Sequence, residues 1–160
     1  MERYLTRTAP SMAAFGAQAA APTVQAVPEA DDERLLSLLQ QYWGYRAFRP
    51  PQLEVIRAAM EGRDTLVVMA TGGGKSLCYQ VPALAMGRTV LVVSPLISLM
   101  HDQVEALNAR GVPAAFLGSA QTNQEIKRHA WAGEYALVYV TPELVTSSPE
   151  SLRSLHAAKV

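Results

Sequence analysis

Several features that would point to a function are nearly missing from this sequence. Among its 160 residues stands a single cysteine, Cys78, so no intramolecular disulfide forms and a cysteine-rich metal framework is excluded. The three histidines, at 101, 129 and 156, lie apart from any cysteine or acidic cluster with metal-ligand spacing. Net charge is absent too. With 14 basic and 14 acidic residues in balance, no overall field draws nucleic acid or a membrane surface, although a local basic groove stays open. No apolar run reaches the roughly 20 residues that a bilayer span requires, and the N-terminus has no signal-peptide core. The expectation is a metal-site-free intracellular chain without a membrane partner, long enough for one domain with a sizeable core. Cys78 reads as a small buried residue rather than a reactive thiol.

Residues 1–28 are rich in Ala, Gln and Pro, and residues 3–28 hold no acidic side chain. With Arg3 and Arg7 they have a trace of an organelle-targeting segment, but Pro10, Pro22 and Pro28 interrupt any long helix, and a disordered leader is the preferred reading. The ordered part is expected over 29–160. An acidic cluster precedes Leu35, Leu38, Leu39 and Tyr42 at helical spacing, and Gly44, Pro50 and Pro51 close that helix. Pro51 can open a second helix carrying Leu53, Ile56 and Met60.

Beyond it, Leu66 to Met69 reads as a buried strand, and after the next helix Pro82 and Gly87 punctuate the chain. Thr89 to Val93 is a β-branched run suited to a strand buried on both faces. A helix from Leu96 up to Gly111, a short strand from Ala114 to Leu117, a helix capped by Thr122 with Glu125 and running through Trp131, and a strand from Tyr135 to Val140 follow. Thr141-Pro142-Glu143 turns the chain at the end of the last strand, and Ser148-Pro149-Glu150 opens a last helix. Such alternation predicts an α/β fold, a parallel sheet with helices on both faces, and ligands bound at the carboxyl ends of the strands.

One stretch carries chemistry. Thr71-Gly72-Gly73-Gly74-Lys75-Ser76 follows the apolar run and precedes the helical Leu77-Cys78-Tyr79. A triphosphate packs several negative charges into a small volume, and consecutive glycines let backbone N–H groups converge on it without side chains in the way. The positive end of the next helix adds to that field. Lys75 then reaches the β/γ-phosphates and the Ser76 hydroxyl ligates Mg²⁺. The strict phosphate-loop pattern asks for Gly where Met69 stands, so a glycine-rich turn with an incidental Lys-Ser is the competing reading.

The sequence resembles the RecQ-type DNA helicases of the second helicase superfamily from about Leu35 onward. The resemblance rests on ordered blocks: Trp43-Gly44-Tyr45 through Phe48-Arg49-Pro50 to Gln52, then Thr71 to Gln80, then Val93-Ser94-Pro95-Leu96-Ile97-Ser98-Leu99-Met100 to Asp102-Gln103. A weaker block is Tyr139-Val140-Thr141-Pro142-Glu143. It implies a RecA-like P-loop fold, ATP and Mg²⁺ as cofactors, and single-stranded and duplex DNA as partners. It also implies ATP hydrolysis coupled to 3′ to 5′ translocation and unwinding, a part in DNA repair and recombination, and a cytoplasmic location, nucleoid-associated in a bacterium.

The resemblance assigns adenine recognition to Tyr45, Arg49 and Gln52. A glutamine amide can pair with the N6/N7 edge of adenine while a ring and a guanidinium sandwich the base. The phosphates fall to Thr71, Gly72, Gly73, Gly74, Lys75 and Ser76, with Lys75 as the catalytic residue. Ser94, Pro95, Leu96 and Thr141 face a DNA strand; ordinary helix capping is the plain alternative for Ser94 and Thr141.

Two departures stand out. Ala70 replaces the usual proline, and no Asp-Glu pair ends an apolar strand, the four aspartates lying at 31, 32, 64 and 102. Phosphoryl transfer needs such a carboxylate on the metal. The expectation is therefore an incomplete first motor domain, truncated before its Asp-Glu-Ala-His segment and inactive alone. The alternatives are a self-sufficient NTPase with Glu143 on the metal, or a binding module without turnover.

Overall fold

The computed structural model describes residues 29–119 and 121–147, so the leader expected over 1–28 and the helix expected at Ser148-Pro149-Glu150 lie outside the described residues. In chain order the elements are α1 (Glu29–Trp43), α2 (Gln52–Met60), α3 (Leu77–Met86), β1 (Val90–Val93), α4 (Ile97–Ala109), β2 (Ala114–Leu117), α5 (Gln124–Trp131), β3 (Leu137–Val140) and α6 (Pro142–Ser147). The three strands form a parallel sheet in the order β1-β3-β2. Leu137 is in register with Val90 on one side and Ala114 on the other.

The pleat explains why both faces are covered. Alternate residues of a strand point to opposite faces. Leu137 and Tyr139, with Ala114 and Phe116, pack against Ala83 of α3 and Met100 and Leu107 of α4. Val138 and Val140, with Leu117, pack against Ala130 of α5 and against Leu144 and Val145 of α6. The central strand is thus apolar at every position and wholly buried, the signature of a parallel sheet between helical layers.

A third cluster joins the helices that precede the sheet. Leu35 and Leu39 of α1, Ile56 of α2, and Leu77, Val81 and Ala85 of α3 stand at four-residue spacing and close on one another. Arg57 of α2 binds Asp32 of α1 through both ends of its guanidinium, with the Nε–Oδ1 bond at 3.0 Å. This packing holds α2 beside the start of α3, where the glycine-rich loop lies.

Four local expectations are corrected. Leu66 to Met69 takes no regular secondary structure and pairs with no described strand, and Leu66 and Val68 are 66% and 72% exposed rather than buried. A strand needs a hydrogen-bonded neighbour, which hydrophobicity alone does not supply. Pro82 lies inside α3 rather than ending it. Loss of one helical hydrogen bond there is offset by burial of Leu77, Cys78, Val81, Ala83 and Ala85 on the same helix. Gly87 ends it, in the left-handed conformation.

The cap of α5 is Asn123, not Thr122: its Oδ1 accepts from Glu125 N–H at 2.8 Å and Ile126 N–H at 3.3 Å. Finally, the chain enters a helix at Pro142, directly after β3, where a turn was expected. Proline suits a first helical position, because its missing N–H has no helical partner there.

Candidate functional site

The loop over 71–76 joins the Leu66 to Met69 segment to α3, whose first residue is Leu77. Gly72 and Gly74 both have φ of 80°, a conformation that costs a side-chain residue about 1–2 kcal/mol. At Gly74 a Cβ would also strike Nε2 of Gln52. Gly73 N–H donates to Ala70 O at 3.0 Å and closes the turn. The N–H groups of Gly74, Lys75 and Ser76 meet no acceptor among the described residues. Three successive unpaired donors at a helix start form an anion cradle.

Three side chains hold this loop. Lys75 Nζ donates to Met69 O and Ala70 O, both at 2.9 Å, so its ammonium rests on the loop's own entrance. Arg49 Nη1 donates to Gly72 O at 3.3 Å. Gln52 is 2% exposed and uses both ends of its amide. Its Oε1 accepts from Arg49 N–H at 2.8 Å, and its Nε2 donates to Gly74 O at 3.1 Å and Gly73 O at 3.4 Å. In this arrangement the glutamine amide braces the loop, and its free edge for a base is spent.

A cavity of about 310 Å³ opens beside the loop. Tyr45, Arg49, Gln52, Gly72, Gly74 and Ser76 line it, which brings the three residues expected to read adenine together with three of the six expected to hold phosphate; Thr71, Gly73 and Lys75 are not part of its lining. Tyr45 is 53% exposed, so its ring is available to a planar ligand. The opposite wall is less expected. Gln80 of α3, Gln103 and Ala106 of α4, and Arg110 at its C-terminal cap also line the cavity. Gln80 and Gln103 close two of the blocks that carry the resemblance but were assigned no role there, and Ala106 and Arg110 were signalled only by helical spacing from Gln103. Beside the loop, burial pushes the Cys78 thiol up to about 11, which keeps it protonated and inert at neutral pH.

The residues expected to face DNA lie at the ends of adjacent strands. Ser94 N–H donates to Val140 O at 3.0 Å, tying the end of β1 to the end of β3. The Ser94 hydroxyl accepts from Leu96 N–H at 3.3 Å. Pro95 and Leu96 are exposed, and so are Val93, Ile97 and Leu99 around them. Thr141 is buried instead, and its hydroxyl accepts from Leu144 N–H at 3.4 Å in the capping geometry. Among the described residues no three His, Cys, Asp or Glu side chains gather as a metal site, and no helix is long and apolar enough to cross a membrane.

With this geometry in hand, comparison with known proteins is informative. The family model for DEAD/DEAH box helicases matches residues 49–158, more than half of the chain. The ATP-dependent DNA helicase RecQ of Haemophilus influenzae is 53% identical over 116 residues, covering 71% of this chain and 19% of that protein. Its namesake from Bacillus subtilis is 52% identical over 118 residues, covering 71% and 20%. That of Pasteurella multocida is 49% identical over 116 residues, covering 71% and 18%. The chain spans about a fifth of the length of these curated relatives.

Proposed function

The chain belongs to the DEAD/DEAH box helicase family, and on that premise we propose that it forms the nucleotide-binding part of the first motor domain of a RecQ-type, ATP-dependent DNA helicase. The observation that carries the proposal is the shared cavity, where Tyr45, Arg49 and Gln52 meet Gly72, Gly74 and Ser76. A nucleotide needs both a flat aromatic surface and converging N–H donors, and the two stand side by side there.

In this reading the triphosphate lies on the N–H groups of Gly74, Lys75 and Ser76, and Lys75 leaves the carbonyls of Met69 and Ala70 for the β/γ-phosphates. Thr71 and Gly73 shape the turn. The Lys75 exchange is electrostatically favourable, because an ammonium gains more from a phosphate than from two neutral carbonyls. Tyr45 and Arg49 flank the base, and Gln52 reads its edge once it releases the loop. Mg²⁺ arrives with the nucleotide; a lone hydroxyl, Ser76, suits an ion that keeps most of its ligands as water and phosphate oxygens. Ser94, Pro95 and Leu96 line the path of a DNA strand at the carboxyl edge of the sheet, while Thr141, buried and capping the next helix, shapes that edge from beneath. The parent reaction is ATP hydrolysis that drives 3′ to 5′ movement along single-stranded DNA and opens duplexes.

Competition against a fluorescent ATP analogue tests the base-reading half of this proposal. ATP displaces the analogue at least tenfold more effectively than GTP if Tyr45, Arg49 and Gln52 read adenine. Equal displacement by both nucleotides contradicts the assignment.

A further inference from the structure

Gln80 sits one turn into α3 and is 3% exposed. Its backbone N–H donates to Ser76 O at 3.0 Å, so it is tied directly to the end of the glycine-rich loop. Its side-chain Nε2 has two hydrogens and two acceptors: Gln103 Oε1 on α4 at 3.1 Å and the Tyr139 hydroxyl on β3 at 3.4 Å. One amide therefore joins three elements with different destinations. The helix α3 begins at the loop, α4 begins just after Ser94-Pro95-Leu96, and β3 runs into Thr141.

Two further facts give this junction a direction. Gln80 and Gln103 line the same cavity as Gly72, Gly74 and Ser76, so a molecule filling that cavity lies against the bond between them. A buried amide left without its acceptor costs about 1–3 kcal/mol. A shift of α4 against α3 therefore meets a penalty at Gln80 unless both helices move together.

We propose that Gln80, Gln103 and Tyr139 are positioning residues that make occupancy of the phosphate loop and occupancy of the Ser94–Leu96 turn favour one another. The inference rests on the function proposed above, because it takes the two ligands to be a nucleoside triphosphate and a single DNA strand. Coupling between sites is a free energy shared by both, so each ligand must change the other's affinity by the same factor.

The test is an equilibrium one on the chain as it stands. Affinity for a fluorescent ATP analogue is measured with and without saturating oligothymidylate, and affinity for labelled oligothymidylate with and without the analogue. The unaltered chain is expected to show a factor of about five or more, equal in both directions. Gln103→Leu removes the nearer acceptor and brings that factor to within twofold of one. Tyr139→Phe lies outside the cavity. It lowers the factor in the same sense, while each ligand alone binds within twofold of normal and the melting temperature falls by no more than a few degrees, because Gln80 keeps Gln103 as an acceptor.

A factor that survives in both variants overturns the proposal, as does a factor of one in the unaltered chain that binds each ligand separately. A chain that binds neither ligand overturns the functional reading itself.

Discussion

At the scale of single residues, the glycine-rich loop works through what its side chains touch as much as through its backbone. Gly74 shows this most plainly: its φ of 80° and its contact with Gln52 leave no room for a methyl group. Gly74→Ala is expected to cost about 1–2 kcal/mol of stability from the backbone alone. It also strains the N–H cradle of the loop and weakens nucleotide binding. Chemical denaturation beside a nucleotide titration checks both parts, and an unchanged affinity would show that the cradle tolerates a side chain at this position.

The glycines, Lys75, and the trio Tyr45, Arg49 and Gln52 were legible in the sequence, because their residue types carry the chemistry. The bracing role of Gln52 was not, since a glutamine on a helix looks the same whether its amide faces solvent or the backbone of a loop 21 residues away. Gln80 and Gln103 stood in the blocks of the resemblance without a role, and Arg110 was an ordinary polar residue, until two helices brought them to one cavity.

At the scale of elements, runs of apolar residues located the three paired strands, and helical spacing located α1, α2 and α4. What failed was local and has local causes. The Leu66 to Met69 run has strand composition, yet pairing depends on a neighbour that no window of sequence contains. The cap of α5 slipped by one residue because Thr122 and Asn123 are both capable caps, and only geometry decides which oxygen reaches the second and third N–H groups.

Asn123→Ala is therefore expected to lower stability by about 1 kcal/mol, while Thr122→Ala leaves it nearly unchanged. Thermal melting of the two variants separates them, and a larger loss at Thr122 would contradict the capping geometry.

At the scale of the whole molecule, three apolar clusters arrange the chain as helices on both sides of a parallel sheet, with the loop-bearing α3 shared between two of them. That sharing matters for function: α3 starts at the candidate phosphate cradle, packs on α1 and α2 through one side, and reaches the sheet layer through Ala83 on another. The fold thus fixes the N-terminus of α3 from several directions and leaves the cavity beside it open. The sequence foretold this α/β layering through its alternating elements, whereas the cavity's second wall depended on how α3 and α4 pack.

The central claim is that residues 71–76 bind the phosphates of a nucleotide, with Lys75 as their principal charge partner. It is tested most directly by calorimetric titration of the chain and of Lys75→Ala with ATP and Mg²⁺. Lys75 is exposed and its loop contacts are with two carbonyls, so its removal leaves the fold intact. The account predicts at least a tenfold loss of affinity, about 1.4 kcal/mol, at an unchanged melting temperature. Equal affinity in the two proteins would contradict it.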